Sequence, residues 1–350
     1  MHSKISCTGN DLIKNNLDSN SKTLFRWDAA CLEFKYINME MTMKFVKSAL
    51  ILAMMTASAN AATLVEKNGI TFDMKGDFQV QLQKDNNKYQ DAQFNFDSLE
   101  LSNIVSYAVN QDVTMFGELT FDFSDAANKS EESVELKNAL VGFEYRNMLL
   151  TLGKQDYASD EFGIAEDYEM ASDDVAFPED EGKNVILLKM DFKPFELILS
   201  TDLPVKNKDN ETTRSFDAFA AVEVWDVELA AAYQHFVDEG DKFQSYGLSV
   251  AYDAGFALFA ADYSHTKDDA EDTTFKAYNL ATVFSVSDSI DIALGYVSNK
   301  QESEAESKEW YANATYHVPN FKRLSLFSEI SRINGDDAEL AYLAGVQMKF

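Results

Sequence analysis

Residues 70–84 read ITFDMKGDFQVQLQK. Phe72, Met74, Phe78, Val80 and Leu82 fall on one parity; Asp73, Lys75, Asp77, Gln79, Gln81 and Gln83 fall on the other. A period of two is that of an extended strand. One face is apolar and the other strongly polar. A soluble sandwich buries such an apolar face, whereas a membrane barrel turns it to lipid and keeps the polar face on a wet interior. The same alternation recurs to the last residue. In 113–123 Val113, Met115, Leu119, Phe121 and Phe123 oppose Thr114, Glu118, Thr120 and Asp122, with Phe116 out of phase. Residues 245–253 and 289–297 stack Tyr246, Leu248, Val250, Tyr252 and Ile290, Ile292, Leu294, Tyr296 in the same way.

About sixteen such segments follow one another, near 70–84, 93–108, 112–124, 134–146, 148–155, 184–192, 194–202, 214–225, 226–236, 245–253, 255–265, 274–286, 289–298, 308–318, 321–332 and 339–350. Short connections such as RNM (146–148) and DAG (253–255) alternate with long polar ones such as DAANKSEES (125–133) and KQESEAESKE (300–309). Short turns at one rim and long loops at the other are the habit of an even-stranded membrane barrel. Closure has a physical cause. In hydrocarbon an unpaired backbone N–H or C=O costs several kcal/mol, so a sheet cannot leave an edge. All four prolines fall in connections, where they remove no ladder donor. Tyr145, Phe192, Trp225, Tyr252, Tyr263, Tyr316 and Phe321, near strand ends, suit interfacial girdles. Carboxylates inside strands, such as Asp77, Glu118 and Asp122, argue against a dry core, because a buried unpaired carboxylate is very costly.

Residues 43–61, MKFVKSALILAMMTASANA, read differently: a basic start, an apolar core over 49–55, and Ala59-Asn60-Ala61 as a cleavage pattern. This predicts a secretory signal peptide cut between Ala61 and Ala62. Its core is well short of the roughly 20 residues a spanning helix needs. The expected organisation is therefore an upstream extension over 1–42, with Met43 or Met41 as initiator, a signal peptide over 43–61, and a barrel over 62–350. Both cysteines, Cys7 and Cys31, precede the cut, so no disulfide framework or cysteine metal site is expected after it. Residues 1–61 carry seven Lys/Arg and five Asp/Glu, which leaves 23 basic and 54 acidic residues and a net charge of −31. Such a surface repels phosphate backbones and disfavours a nucleic-acid partner.

One connection stands apart. Between Lys154 and Lys183 lie eleven acids, among them Asp160, Glu161, Glu166 and Asp167, and no Lys or Arg. Phe162, Ile164, Tyr168, Met170, Val175 and Phe177 make the same stretch too apolar for a freely waving tip. A loop of this length is usually functional or disordered. Folded inward onto the barrel wall, it would narrow the lumen and set carboxylates across from wall cations. An outward acidic loop is the alternative.

Over 43–350 the chain resembles the Gram-negative general porins. The resemblance rests on the signal peptide, NGITFDMKGDFQV in the first strand, GFEYRNMLLTLGKQD around the fourth turn, the long loop after the fifth strand, and the terminal Phe350. It implies an all-β, 16-stranded antiparallel transmembrane barrel, usually a homotrimer, with its third loop folded into the lumen as a constriction. It also implies that Phe350 belongs to the signal read by the outer-membrane assembly machinery. Asp160-Glu161-Phe162-Gly163-Ile164 stands where the family often has P-E-F-G-G, so Glu161 resembles the constriction carboxylate. Lys154 and Lys183 resemble members of the basic cluster. Ser98 and Asp77 stand where bases are common, which weakens the cationic half of the pore field.

The expectation is a water-filled channel in the outer membrane for passive diffusion of small hydrophilic solutes, with cations favoured by acidic lumen residues. The acidic constriction set is Glu161, Asp160, Glu166, Asp167, Asp77 and Glu118; the basic set is Lys154, Lys183 and Lys75. Two other functions compete: an adhesin or structural barrel, and a substrate-selective channel. An enzyme is not expected, because His235, His265 and His317 sit in no nucleophile–base spacing. No metal or other cofactor is expected, since the DD and DED clusters lack a ligand spacing.

Overall fold

The alternation is realised as an antiparallel sheet that closes on itself. The computed structural model describes residues 62–350, except 87, 88, 90, 130–132, 166, 167, 169, 171–175, 207–211, 303, 322, 336 and 337. The signal peptide, Ala61 and the extension over 1–42 thus lie outside the described residues. The strands are β1 (Ala62–Lys67), β2 (Ile70–Lys84), β3 (Gln93–Ala108), β4 (Val113–Asp122), β5 (Glu135–Tyr145) and β6 (Met148–Asp156). They continue as β7 (Glu181–Phe192), β8 (Phe195–Asp202), β9 (Val205–Lys206), β10 (Thr212–Val224), β11 (Val227–Asp238) and β12 (Asp241–Asp253). The last six are β13 (Leu258–Asp268), β14 (Thr273–Ser287), β15 (Ile290–Gln301), β16 (Ser307–His317), β17 (Leu324–Ile333) and β18 (Ala341–Lys349). A short helix, α1 (Ser124–Asn128), sits in the connection after β4.

Sixteen strands make the wall. β2 to β8 pair in sequence order, β8 pairs directly with β10, β10 to β18 pair in order, and β18 returns to β2. The two-residue β9 only extends β10. β1 is a feature that the sequence reading did not anticipate. It pairs with β2 from Ala62↔Met74 to Lys67↔Ile70, on the edge that β18 occupies from Asp77 to Lys84. The turn between them is Asn68-Gly69, both at positive φ (56° and 78°), the geometry that Asn-Gly favours in a tight hairpin. β2 thus has a partner along both edges, and the two ends of the chain share one of them.

The wall is inside-out, as the alternation predicts for a membrane barrel. On β12, Tyr246, Leu248, Val250 and Tyr252 are exposed, while Ser245 and Gly247 between them are buried. Gln79 and Gln81 of β2 are buried, and Gln79, Gln81, Gln83 and Asp85 form a hydrogen-bonded ladder up the inner face. Two aromatic belts mark the rims. Tyr145, Phe192, Trp225, Tyr252, Tyr316 and Phe321 ring the side of the short turns. Phe94, Tyr233, Tyr246, Tyr278, Tyr296 and Trp310 lie toward the loops. One connection on the loop side is only Glu239-Gly240, so the alternation of short and long is not complete. Among the described residues no helix is long and apolar enough to cross a membrane; the strands do the crossing.

The lumen and its inward loop as candidate functional site

The long connection between β6 and β7 folds into the barrel and is tied to the inner wall along its course. It opens with a short 3-10 turn, Ala158–Glu161. Tyr157, Ala158 and Phe162 pack on the inward apolar residues Val185, Leu187, Ile198 and Phe219 of β7, β8 and β10. Phe177 closes over Phe162 edge-on, with centroids 5.5 Å apart. Ile164 packs on Ala260 and Ala281. Farther on, Tyr168 stacks on Phe327 of β17 at 4.1 Å. The apolar residues that made this segment unfit for solvent are therefore what holds it inside.

Polar ties cross the lumen with it. Ala158 N–H donates to Ser200 Oγ (2.8 Å) and Ser159 Oγ to Asp217 Oδ1 (2.8 Å). Ile164 N–H donates to Asp262 Oδ2 (3.2 Å), and Ala176 N–H to Ser264 Oγ (2.9 Å). The Glu329 carboxylate accepts both Tyr168 N–H (2.8 Å) and Met170 N–H (3.1 Å). Hydrogen bonds to a charged group contribute about 1.5–3 kcal/mol each, so three wall acids on β10, β13 and β17 clamp the loop. Asp217, Asp262 and Glu329 were not singled out in the sequence. Their only signal there is an acid on the polar parity of a strand.

The acidic candidates do not form one ring. Glu161 is 6% exposed, lies within electrostatic reach of Lys189, Glu196, Asp160 and Asp156, and has no hydrogen bond to either carboxylate oxygen among the described residues. Burial above all pushes its pKa up to about 8, with Lys189 opposing the shift. Asp160 beside it is exposed. Glu118 is buried on β4, accepts Thr120 Oγ1–H at 3.0 Å and faces Lys75 of β2. Asp77 is paired with Lys349 at 3.2 Å. Glu166 and Asp167 lie outside the described residues.

The basic candidates are scattered too. Lys75 stands between Glu118 and Asp73. Lys154 pairs across from Ala139 and shares the parity of the exposed Leu152, whereas Thr151 and Gln155 point inward. It is held at the rim between Glu135 (3.2 Å) and Glu181 (2.8 Å). Lys183 is exposed at the start of β7 and has no ion pair among the described residues. Two further lysines, not among the candidates, also meet carboxylates: Lys137 meets Glu100 at 2.6 Å, and the fully buried Lys189 meets Glu196 at 3.2 Å. At the chain's ends, Ala62 opposes Met74. Phe350 exchanges two backbone hydrogen bonds with Gly76 and sets its ring edge-on to Phe78, centroids 5.5 Å apart.

A closed sixteen-stranded wall with lipid-facing apolar residues and a loop folded across a polar lumen defines a transmembrane channel barrel. The comparisons agree. The family model for Gram-negative porins matches residues 48–338, and the chain belongs to that family. Porin-like protein H of Photobacterium profundum is 23% identical over 333 residues, covering 87% of this chain and 99% of that protein. Two solved structures share the fold. The trimer form of OmpT, an outer membrane protein of Vibrio cholerae, has TM-score 0.67 and 14% identity, over 81% of this chain and 100% of that one. An anion-selective porin from Comamonas acidovorans has TM-score 0.65 and 12% identity, over 80% of this chain and 100% of that one. Family and fold are those of an outer-membrane porin channel rather than an enzyme.

Proposed function

We propose that this porin passes small hydrophilic solutes by diffusion and prefers cations. The observation that carries the preference is the balance of charge in the wall: Lys75, Lys137, Lys189 and Lys349 each face a carboxylate of the wall itself. The lumen is left with an acidic excess from groups such as Asp160, Glu144 and Asp122. Fixed negative charge raises local cation concentration and lowers that of anions. A planar bilayer holding the purified chain under a KCl gradient tests this. The reversal potential takes the sign set by K⁺; the sign set by Cl⁻, as the name of the Comamonas porin would suggest, overturns the proposal.

The rest of the reading concerns export and assembly. Signal cleavage before Ala62 is supported by a strand that begins at that residue, and N-terminal sequencing of the exported chain tests it. A homotrimer is supported by the trimer form of the Vibrio neighbour, and mass measurement in detergent tests it. Phe350 as an element of the assembly signal is supported by its seat on Gly76 of β2, where the last strand meets the first strand of the wall. Phe350→Ala is expected to lower the folded yield in the outer membrane.

A further inference from the structure

The described chain is strongly acidic, yet cations gather on one part of its outer face. Lys276 of β14 shares the parity of Tyr278 and Leu280, and Lys300 of β15 that of Leu294 and Tyr296. Lys308 of β16 and Arg332 of β17 share the parity of Trp310 and Ile330. His265 of β13 completes the strip and stacks on Tyr246 with centroids 5.0 Å apart. Each of the five lies within three residues of the loop-side end of its strand.

Their arrangement is costly in isolation. His265 opposes Lys276, and Lys276 opposes Lys300, in directly facing cross-strand pairs. Like charges so placed repel. The neighbouring loop acids relieve this only in part. Glu306 takes Lys308 at 2.9 Å and also accepts from Ser298. Asp269 and Asp272 hold Lys267. Among the described residues Lys276, Lys300 and Arg332 have no ion pair.

Below the strip, on the same strands, the outer wall is concave. A shallow groove of about 610 Å³ is lined by Val250, Tyr252, Phe259, Ala261, Leu280 and Leu294. Ala261 is small and lies between larger neighbours on β12 and β14. Lys276 and Leu280 are four residues apart, about 13 Å along an extended strand. Tyr246, Tyr263 and Tyr278 stand between the cations and the groove, in aromatic contact with one another. The order down the wall is cation, aromatic, apolar hollow, which is the order of a lipid from headgroup through interface to acyl chain.

We propose that this face binds a phosphate-bearing acylated lipid of the loop-side leaflet, with its phosphate on Lys276 and Lys300 and an acyl chain in the groove. Charge complementarity selects the occupant: lysine and arginine are the residues that bind phosphate. A zwitterionic lipid would leave the Lys276–Lys300 repulsion uncompensated. The proposal is independent of what passes through the lumen.

Native mass spectrometry of the folded full chain in detergent tests it, titrated with phosphatidylglycerol or with phosphatidylcholine of the same chains. The anionic lipid is expected to bind about tenfold tighter, and Lys276→Glu/Lys300→Glu to remove that margin without changing the zwitterionic lipid. Leu280→Trp, which fills the groove, is expected to weaken phosphatidylglycerol and leave the strip intact. Heat-modifiable gel migration checks that each variant is folded. Equal binding of the two lipids by the parent chain overturns the proposal, as does an undiminished margin in the double variant. Equal binding of glycerophosphoglycerol, which has the headgroup and no chains, overturns the acyl seat.

Discussion

The ring of Phe162 occupies the space above Gly247. A side-chain carbon on that glycine would stand 2.5 Å from Phe162 Cζ. The inward loop is thus keyed into the wall by an aromatic knob over a missing side chain on β12. Gly247→Val is expected to expel the ring and loosen the root of the loop, at a cost of about 1–3 kcal/mol for overpacking. Single-channel recording should show a larger or noisier conductance, together with a lower unfolding temperature. An unchanged trace would mean that the loop does not restrict the pore at this point.

The Glu329 carboxylate collects two backbone N–H groups from the far end of the loop, and Asn313 Nδ2 donates to it at 3.0 Å. Glu329→Leu removes the acceptor and strands both amides. Its cost is on the order of 2–5 kcal/mol for loss of charge-assisted bonds. Limited proteolysis within 165–175 is expected to accelerate while the barrel itself resists. Equal cleavage rates in parent and variant would show that the clamp contributes little.

The strand layout was legible because a lipid-facing wall writes its two solvents into alternate residues. Phe78 against Gln79 and Leu119 against Glu118 already carry the inside-out assignment. Phe116, out of phase in the alternation, is an inward ring packed against Gly142, a pairing across strands that no local pattern encodes. The hairpin at Asn68-Gly69 did have a local signal, but it preceded the first obvious alternation. The candidate site was less legible. Bulges decide on which side Lys154 and Lys137 emerge, and a shift of one residue reverses a side chain. Asp217, Asp262 and Glu329 look like any other lumen acid until the loop is seen to end its amides on them.

Glu161 makes stability depend on pH. Its folded pKa is about 8, against the ordinary value of 4.5. Between those values the folded chain holds a proton that the unfolded chain has lost, so stability falls as pH rises through this window. Below it the group is neutral in both states and the contribution is complete. Glu161→Gln is expected to be nearly neutral at pH 4 and stabilising at pH 9, by on the order of a few kcal/mol. Urea unfolding of the detergent-solubilised barrel at the two pH values measures it. A variant with the same pH dependence as the parent would place the titration elsewhere.

Lys75 and Glu118 face each other across β2, β3 and β4, and each lies within the other's field. Removing the base should expose the acid. Lys75→Gln takes away a positive charge and leaves the Glu118 carboxylate without its countercharge, so the lumen becomes more cation-preferring. Glu118→Gln acts in the opposite sense, freeing Lys75 to attract anions. If the two groups act as a pair, the double variant returns close to the parent, because the charge removed is balanced. Reversal potentials of the three variants under one KCl gradient should therefore fall on either side of the parent and on it. Equal shifts in the same direction for both single variants would show that neither charge acts on the ion path directly.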